Sequence, residues 1–254
     1  MRLTAHGATD VGTQRSTNED VVVVEPSLGL FIVCDGMGGH KAGEIASQLA
    51  VEVIARFIGR SSEDDEITWP YGFQTRSSLD SNRLRTAIKL ANRAVARKAA
   101  SSDDYTGMGT TATVALIANN RPHVTFANVG DSRIYLVRRG TIVQLSRDDS
   151  WANLPWGTEG VDVAVSVNMK HVLTKALGAQ DDVDFEVMSQ ELSDGDVLLL
   201  CSDGLTNMLP DQRILELVTQ KAADLNAACT QLVSEANREG GRDNISAILI
   251  RYSA

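Results

Sequence analysis

The sequence predicts an α+β fold, because its strand-like runs come in blocks and its helical segments come in pairs. Short apolar runs typical of strands occupy the beginning, the middle and the end of the chain, with a pair of helices in each interval. Regular alternation of one strand with one helix, the mark of a parallel sheet, is not seen. Neither a linker nor an internal repeat divides the sequence, so residues 1–254 are expected to form one domain.

In the first half, strands are predicted at residues 3–9, 21–25, 30–34 and 110–118. Two helices lie between the last two. The helix near 43–58 carries an apolar stripe at 3.6-residue spacing, formed by Ile45, Leu49, Val53, Ile54, Phe57 and Ile58. The helix near 82–99 follows a capping residue, either Asp80 or Ser81. The acidic stretch between them, within 61–80, indicates a solvated loop.

In the second half, residues 110–145 predict an antiparallel meander, with turns at Asn119-Asn120 and Arg139-Gly140. Residues 148–168 lack periodicity and include Trp151 and Trp156, which indicates an irregular insertion of the kind that often carries function. Strands at 185–190 and 197–201, helices near 210–219 and 225–238, and a last strand at 245–252 complete the prediction.

Composition excludes several classes of function. With 33 acidic and 24 basic residues the chain has a formal charge of −9, which argues against a nucleic-acid partner, since such a partner selects clustered lysines and arginines. No apolar run approaches the ~20 residues of a membrane span. Three cysteines are too few for a disulfide framework and suggest a reducing, cytoplasmic compartment.

The surplus acids are concentrated at the ends of predicted strands. Apolar runs lead into Asp35-Gly36, Gly130-Asp131 and Ser202-Asp203-Gly204, and two further acidic sites, Glu19-Asp20 and Asp243, come just before strands. A carboxylate at the end of a buried strand is costly unless its charge is compensated. Each motif alone is more often a simple turn, but together they indicate a metal centre. Oxygen ligands without a histidine–cysteine cluster favour Mg²⁺ or Mn²⁺.

On these residues the chain resembles the metal-dependent type 2C (PPM) Ser/Thr protein phosphatases in their bacterial form, from about residue 4 to residue 252. The resemblance implies a four-layer α-β-β-α sandwich, two antiparallel sheets flanked by helices, with a flap at about 148–168 beside the active site. The motifs that carry it are Arg15-Ser16-Thr17-Asn18-Glu19-Asp20, Asp35-Gly36-Met37-Gly38-Gly39-His40, Gly109-Thr110-Thr111, Gly130-Asp131-Ser132-Arg133, Ser202-Asp203-Gly204-Leu205 and Gly241-Arg242-Asp243-Asn244.

The resemblance also implies metal ligands. Asp35 bridges two Mn²⁺ or Mg²⁺ ions. Asp203 and Asp243 complete the protein ligands of the first ion, and Glu19 with the carbonyl of Gly36 holds the second. A weaker third ion lies near Asp131 and shares Asp203.

Three further residues receive catalytic roles from the resemblance. Arg15 binds the phosphate, and Asp20 orients metal-bound water. Eukaryotic relatives place a histidine directly after Asp-Gly as an acid for the leaving group, where this chain has Met37. His40 is therefore either a substitute acid or a cap of the following helix. At the start of the flap, Asp149 stands where bacterial relatives commonly have histidine.

The implied function is hydrolysis of phosphoserine and phosphothreonine in proteins, by direct attack of a metal-bridging water, in opposition to Ser/Thr kinases. We expect a cytoplasmic, monomeric enzyme that binds neither nucleic acid nor membrane. Two alternatives stay open on the sequence: a metal-dependent hydrolase of another phosphoester, and a non-catalytic regulatory module that keeps the metal for stability. Cys34 and Cys201 lie in apolar strands, where a packing role is expected.

Overall fold

A computed structural model describes residues 2–38, 42–64, 66–118, 121–150 and 173–254. Two antiparallel sheets form its centre. The first has the strand order β1-β11-β10-β7-β8 and the second the order β2-β3-β5-β6-β9, with the short β4 paired to β3. The strands are β1 (Arg2–Asp10), β2 (Asp20–Glu25), β3 (Leu30–Met37), β4 (Gly109–Thr110), β5 (Ala112–Ile117), β6 (His123–Val129), β7 (Arg133–Arg138), β8 (Thr141–Gln144), β9 (Val187–Glu191), β10 (Val197–Cys201) and β11 (Ile245–Ser253).

Five α-helices of the described residues cover the sheets. They are α1 (Ala42–Glu63), α2 (Leu79–Ala99), α3 (Asp203–Thr206), α4 (Asp211–Gln220) and α5 (Leu225–Arg238). α1 and α2 pack on the second sheet, whereas α4 and α5 pack against the first. Among the described residues, none of the helices combines the length and the hydrophobicity that a transmembrane span requires. The α+β prediction and the four-layer sandwich are confirmed.

Strand β3 shows how the layers are held together. Leu30, Ile32 and Cys34 face the core beneath α1 and α2, while Phe31 and Val33 face the core between the two sheets. Side chains alternate across a strand, so an uninterrupted apolar run fits a sheet covered on both faces. β10 follows the same rule, because its odd-numbered residues contact the helical core and its even-numbered residues the central core.

Two local predictions differ from the structure. The N-cap of α2 is Ser78, whose hydroxyl accepts from the Ser81 amide at 3.1 Å, and neither Asp80 nor Ser81 has that role. The loop before α2 is not wholly solvated either. Trp69 packs edge-on against Phe57 at a centroid distance of 5.8 Å, because this aromatic pair closes the end of the α1–α2 core.

Most of the other predicted strands and helices are found, with ends that differ by one to a few residues. The Arg139-Gly140 turn joins β7 to β8 with both residues at positive φ, as a two-residue hairpin requires. The Asn119-Asn120 turn, the two tryptophans of the insertion and most of the flap at 148–168 lie outside the described residues, as does His40.

Candidate active site

The carboxylates predicted from strand ends line one cavity of about 430 Å³. Its wall contains Glu19, Asp35, Asp131, Asp203 and Asp243. Arg15 and Gly36 line the same cavity, which also touches Met37, Gly38, Thr111 and Leu173. Asp20 lies beside it, directly opposite Asp35 in the β2–β3 pair. Of the nine predicted site residues, only His40 falls outside the described part of the chain.

Strand register brings the first two acids together. Asp20 and Asp35 are partners across antiparallel strands, where facing like charges destabilise a sheet. Burial raises the pKa of Asp35 well above its usual range, and the charges of Asp20, Asp203, Asp243 and Asp131 raise it further. Burial likewise raises the pKa of Asp20 to about 6 against the hydroxyl contacts that oppose it. Both carboxylates would therefore be ionised more readily beside a positive charge.

Asp131 follows β6 through Gly130, whose φ of +104° turns the chain toward the cavity. Burial raises the pKa of Asp131 to about 7, with the charge of Asp203 as the next cause. Glu19 behaves in the same direction, because burial raises its pKa despite the nearby Arg15. A cluster of acids whose pKa values rise together is typical of a functional site.

Close packing of glycine fixes Glu19 and the carbonyl of Gly36. The Gly36 amide donates to the Glu19 carbonyl at 3.1 Å, and a Cβ on Gly36 would lie 2.1 Å from the Gly43 carbonyl oxygen. A Cβ on Gly43, in the first turn of α1, would lie 2.7 Å from the Glu19 carboxylate. The glycines therefore leave a cradle shaped for that carboxylate, and no other residue type fits without displacement.

Threonines hold the backbone of Asp35. The Asp35 amide donates to Thr111 Oγ1 at 2.9 Å, while Thr110 Oγ1 and the Thr111 amide donate to the Asp35 carbonyl at 2.9 and 2.8 Å. Gly109-Thr110-Thr111 is one of the predicted motifs, and the sequence indicated no role for it. In the structure both hydroxyls hold the backbone of Asp35. A threonine in a strand does not by itself indicate such a role.

Asn244 belongs to the last predicted motif but received no role from the sequence, although it holds part of the candidate site together. Its Nδ2 donates to the carbonyls of Val11 and Thr17, both at 2.9 Å, and its Oδ1 accepts from the Glu19 amide at 2.8 Å. One side chain thus ties the segment that carries Arg15 and Glu19 to the start of β11. Its place after Asp243 was the available signal.

As the side chains stand, no three acidic, histidine or cysteine residues among those described converge closely enough to hold a metal ion. Two contacts turn carboxylates toward other partners. Asp243 Oδ2 accepts from Arg15 Nη2 at 2.8 Å, and Asp203 Oδ2 accepts from Asn207 Nδ2 at 2.9 Å. Repulsion between the like charges of the acids also keeps the carboxylates apart.

The chemistry of the donor set nevertheless fits hard divalent cations. All donors are oxygens, which suit Mg²⁺ and Mn²⁺, and the Gly43 cradle presents the Glu19 carboxylate. Asp20 Oδ1 is buried and has no hydrogen-bond partner among the described residues, while Oδ2 accepts from Ser202 Oγ at 2.7 Å. An unpartnered buried carboxylate oxygen is costly, so it points to a ligand such as an ordered water.

The chain is similar over most of its length to known protein phosphatases. A family model described as protein phosphatase 2C matches residues 13–249. The chain is 34% identical over 251 residues to the serine/threonine phosphatase stp of Listeria welshimeri, which covers 95% of this chain and 93% of that protein.

Among the solved structures that are similar over nearly the whole chain are two serine/threonine phosphatases. The serine/threonine phosphatase PstP/Ppp of Mycobacterium tuberculosis superposes with a TM-score of 0.81 at 30% identity, covering 99% of each chain. The catalytic domain of a serine/threonine protein phosphatase PstP in complex with two manganese ions superposes with a TM-score of 0.79 at 31% identity, again covering 99% of each chain.

Proposed function

The chain belongs to the protein phosphatase 2C family and is a metal-dependent protein-serine/threonine phosphatase, and on that premise we propose that the carboxylate cavity beside Arg15 is its catalytic site. The observation that carries the proposal is the convergence of Arg15, the Gly36 backbone and five carboxylates on one cavity. The alternatives of another phosphoester hydrolase and of a non-catalytic module are not favoured by these relatives.

The proposed ligands are those of the sequence analysis. Asp35, Asp203 and Asp243 would hold one Mn²⁺ or Mg²⁺ ion. Asp35, Glu19 and the Gly36 carbonyl would hold a second. A weaker third ion would use Asp131 together with Asp203. The rise of the Asp131 pKa to about 7 supports it, since a cation there would offset the cost of ionising a buried carboxylate beside Asp203.

When bound, divalent ions lower the pKa of water and neutralise phosphoryl oxygens. The protein supplies the rest. Oδ2 of Asp20 accepts a hydrogen bond from Ser202, and Oδ1 has no partner among the described residues. Oδ1 is therefore suited to orient the attacking water. The threonine contacts hold the backbone amide and carbonyl of Asp35, which fixes the point from which its carboxylate extends.

Arg15 is the proposed phosphate-binding group. It is half exposed, and among the described residues its one hydrogen bond is from Nη2 to Asp243. A guanidinium has five N–H donors in a planar fork that matches phosphate oxygens. The donors that do not contact Asp243 are therefore available to phosphate oxygens of the substrate.

The group that gives a proton to the departing seryl or threonyl oxygen is predicted from the sequence alone. Met37 lines the cavity at the position where eukaryotic relatives have histidine, and a thioether has no proton to give. His40, as leaving-group acid or as helix cap, lies outside the described residues.

Phosphoproteins are the substrates, and a Ser/Thr kinase that makes them is the proposed opposing partner. We further propose a monomer that acts in the cytoplasm without binding nucleic acid or membrane. The net charge of −9 supports the lack of a nucleic-acid partner. The three cysteines are all free and buried, which supports a reducing compartment.

Phosphate release from a phosphothreonine peptide with added Mn²⁺ tests the catalytic site. We expect turnover by the wild type, its loss on chelation, and its loss in Asp203→Ala. Equal turnover by wild type and Asp203→Ala would show that the cavity is not the catalytic site.

A further inference from the structure

A second concave surface, larger than the catalytic cavity, lies between α1 and α2. Its volume is about 610 Å³. Its rim carries two arginine pairs at i, i+4 spacing, Arg56 and Arg60 on α1 and Arg93 and Arg97 on α2, and all four are exposed. Residues four apart lie on the same side of a helix, so both pairs border one groove. We call it the arginine groove.

The floor of the arginine groove is apolar. Val53 and Phe57 of α1 and Leu90 and Ala94 of α2 line it, and Phe57 is also held by Trp69. An apolar floor beneath a cationic rim matches an amphipathic segment that has an apolar side chain among acidic ones, the pattern by which helical grooves recognise peptides.

The charge of the groove is opposite to that of the whole chain. Among the described residues of its lining, four arginines face two acids, Asp64 and Glu66, in a chain of net charge −9. Among the ion pairs of the described residues, only Arg56 of the four takes part, with Glu52. Guanidinium groups bind carboxylates as bidentate pairs, so the groove favours an acidic occupant.

The groove and the catalytic cavity lie along the same helix. Gly43, in the first turn of α1, abuts Gly36 and the Glu19 carboxylate, and Arg56 is thirteen residues further along. At 1.5 Å per residue the axial separation is about 20 Å. An extended chain covers about 3.3 to 3.6 Å per residue, so about six residues of a bound peptide would span it.

We propose that the arginine groove binds an acidic segment of the phosphoprotein substrate, with an apolar side chain on the groove floor, about six or more residues from the phosphorylated residue. The proposal rests on the proposed function in taking the carboxylate cavity as the place where that residue is hydrolysed. A concave groove that includes Asp64 and Glu66 suits a narrow peptide better than a flat anionic membrane.

Peptide kinetics with the Mn²⁺-loaded full chain tests the proposal. One phosphothreonine peptide carries a Gly/Ser linker of about eight residues and a tail of glutamates around a leucine. A second has lysines in place of the glutamates, and a third has no tail. The groove variant is Arg93→Glu with Arg97→Glu. The control, Arg2→Glu with Arg139→Glu, changes the net charge equally at exposed sites in β1 and in the β7–β8 turn, which belong to the other sheet.

We expect the acidic tail to lower the KM of the wild type and of the control by at least about fivefold, as a few exposed ion pairs would. The groove variant should lose that advantage and keep its kcat and its KM for the untailed peptide. Equal KM values for the acidic and untailed peptides in the wild type would overturn the proposal, as would an advantage retained in the groove variant.

Two further outcomes are distinct. Sedimentation of the wild type, but not of the groove variant, with phosphatidylserine vesicles, together with no effect of the acidic tail, would assign the groove to membranes and overturn the proposal. Failure of the wild type to hydrolyse even the untailed peptide would instead count against the catalytic site, independently of the groove.

Discussion

Arg15 Nη2 and Asp243 Oδ2 lie 2.8 Å apart, although 228 residues separate them in the chain. The proposed phosphate-binding group is thus paired with a proposed metal ligand. Both side chains are substantially exposed, so the pair itself contributes little to stability. Its consequence is competition, because a cation at Asp243 and a phosphate at Arg15 would each draw one member of the pair away from the other.

Arg15→Ala should therefore separate phosphate binding from metal binding. Loss of a charge-assisted contact of about 1.5–3 kcal/mol predicts a KM for phosphopeptide, and a Ki for inorganic phosphate, higher by about 10- to 150-fold. Mn²⁺ affinity by calorimetry should not fall, since Asp243 loses a competitor. Arg15→Lys should restore only part of the binding, because an ammonium lacks the planar fork. Unchanged phosphate inhibition in Arg15→Ala would remove Arg15 from the site.

Gly43→Ala should damage the metal centre through sterics alone. The new Cβ would lie 2.7 Å from the Glu19 carboxylate, so we expect Mn²⁺ affinity to fall at least about tenfold while the fold is kept. Titration calorimetry and circular dichroism measure the two effects.

Gly59→Ala in the same helix is the matched control for Gly43→Ala. Its Cβ would meet only Leu28 Cδ1, at 3.7 Å, and alanine should stabilise α1 by about 0.4–1 kcal/mol. Equal Mn²⁺ affinity in the two variants would contradict the cradle.

Asp35→Asn should lower the activity and raise the stability of the metal-free protein. The substitution removes the charge that faces Asp20 across the β2–β3 pair and mimics the protonated form that the raised pKa favours. We expect turnover to fall by at least about a hundredfold, while the metal-free protein melts at a higher temperature than the wild type at pH 8. Glu63→Gln, at an exposed site at the end of α1, should change neither quantity. A lower melting temperature for Asp35→Asn would show that the carboxylates do not repel one another.

Stability of the metal-free protein should fall as pH rises. The folded pKa values of Asp131 and Asp20, about 7 and about 6, exceed the value of 3.8 expected in the unfolded chain. Between about pH 4 and pH 7 the folded state therefore holds protons that the unfolded state has lost, and stability present at low pH disappears. Each group contributes at most about 1.4 kcal/mol per pH unit.

Denaturant unfolding of the chelated protein across that pH range measures the slope. Asp131→Asn should flatten it, and saturating Mn²⁺ should abolish it, because a bound cation keeps the acids ionised in the folded state. A stability that rises with pH in the chelated wild type would contradict the assignment of raised pKa values.

Thiol reagents should leave the enzyme active. Cys34, Cys201 and Cys229 are buried, and burial raises the pKa of each thiol, that of Cys229 to about 12. Thiolate is the reactive form, so iodoacetamide at pH 7.5 should not reduce phosphate release, whereas a chelator should remove it. Inactivation that tracks alkylation of one cysteine would contradict this.

The sequence by itself determined the fold class, the family and the acids proposed for the site. Apolar runs and helical stripes are local patterns, and β3, β10 and α5 follow directly from them. Aspartates at strand ends are also local, so their shared chemistry could be inferred before their positions were known.

Only the tertiary structure decided how those residues meet. The Arg15–Asp243 pair, the three contacts of Asn244 and the cradle of Gly43 around Glu19 all join segments remote in sequence. The arginine groove is of the same kind, since each of its arginine pairs is an ordinary exposed helix face when read alone. The physical reason is that strand register and helix packing set these distances. Neither can be inferred from the residue types of a short stretch of sequence.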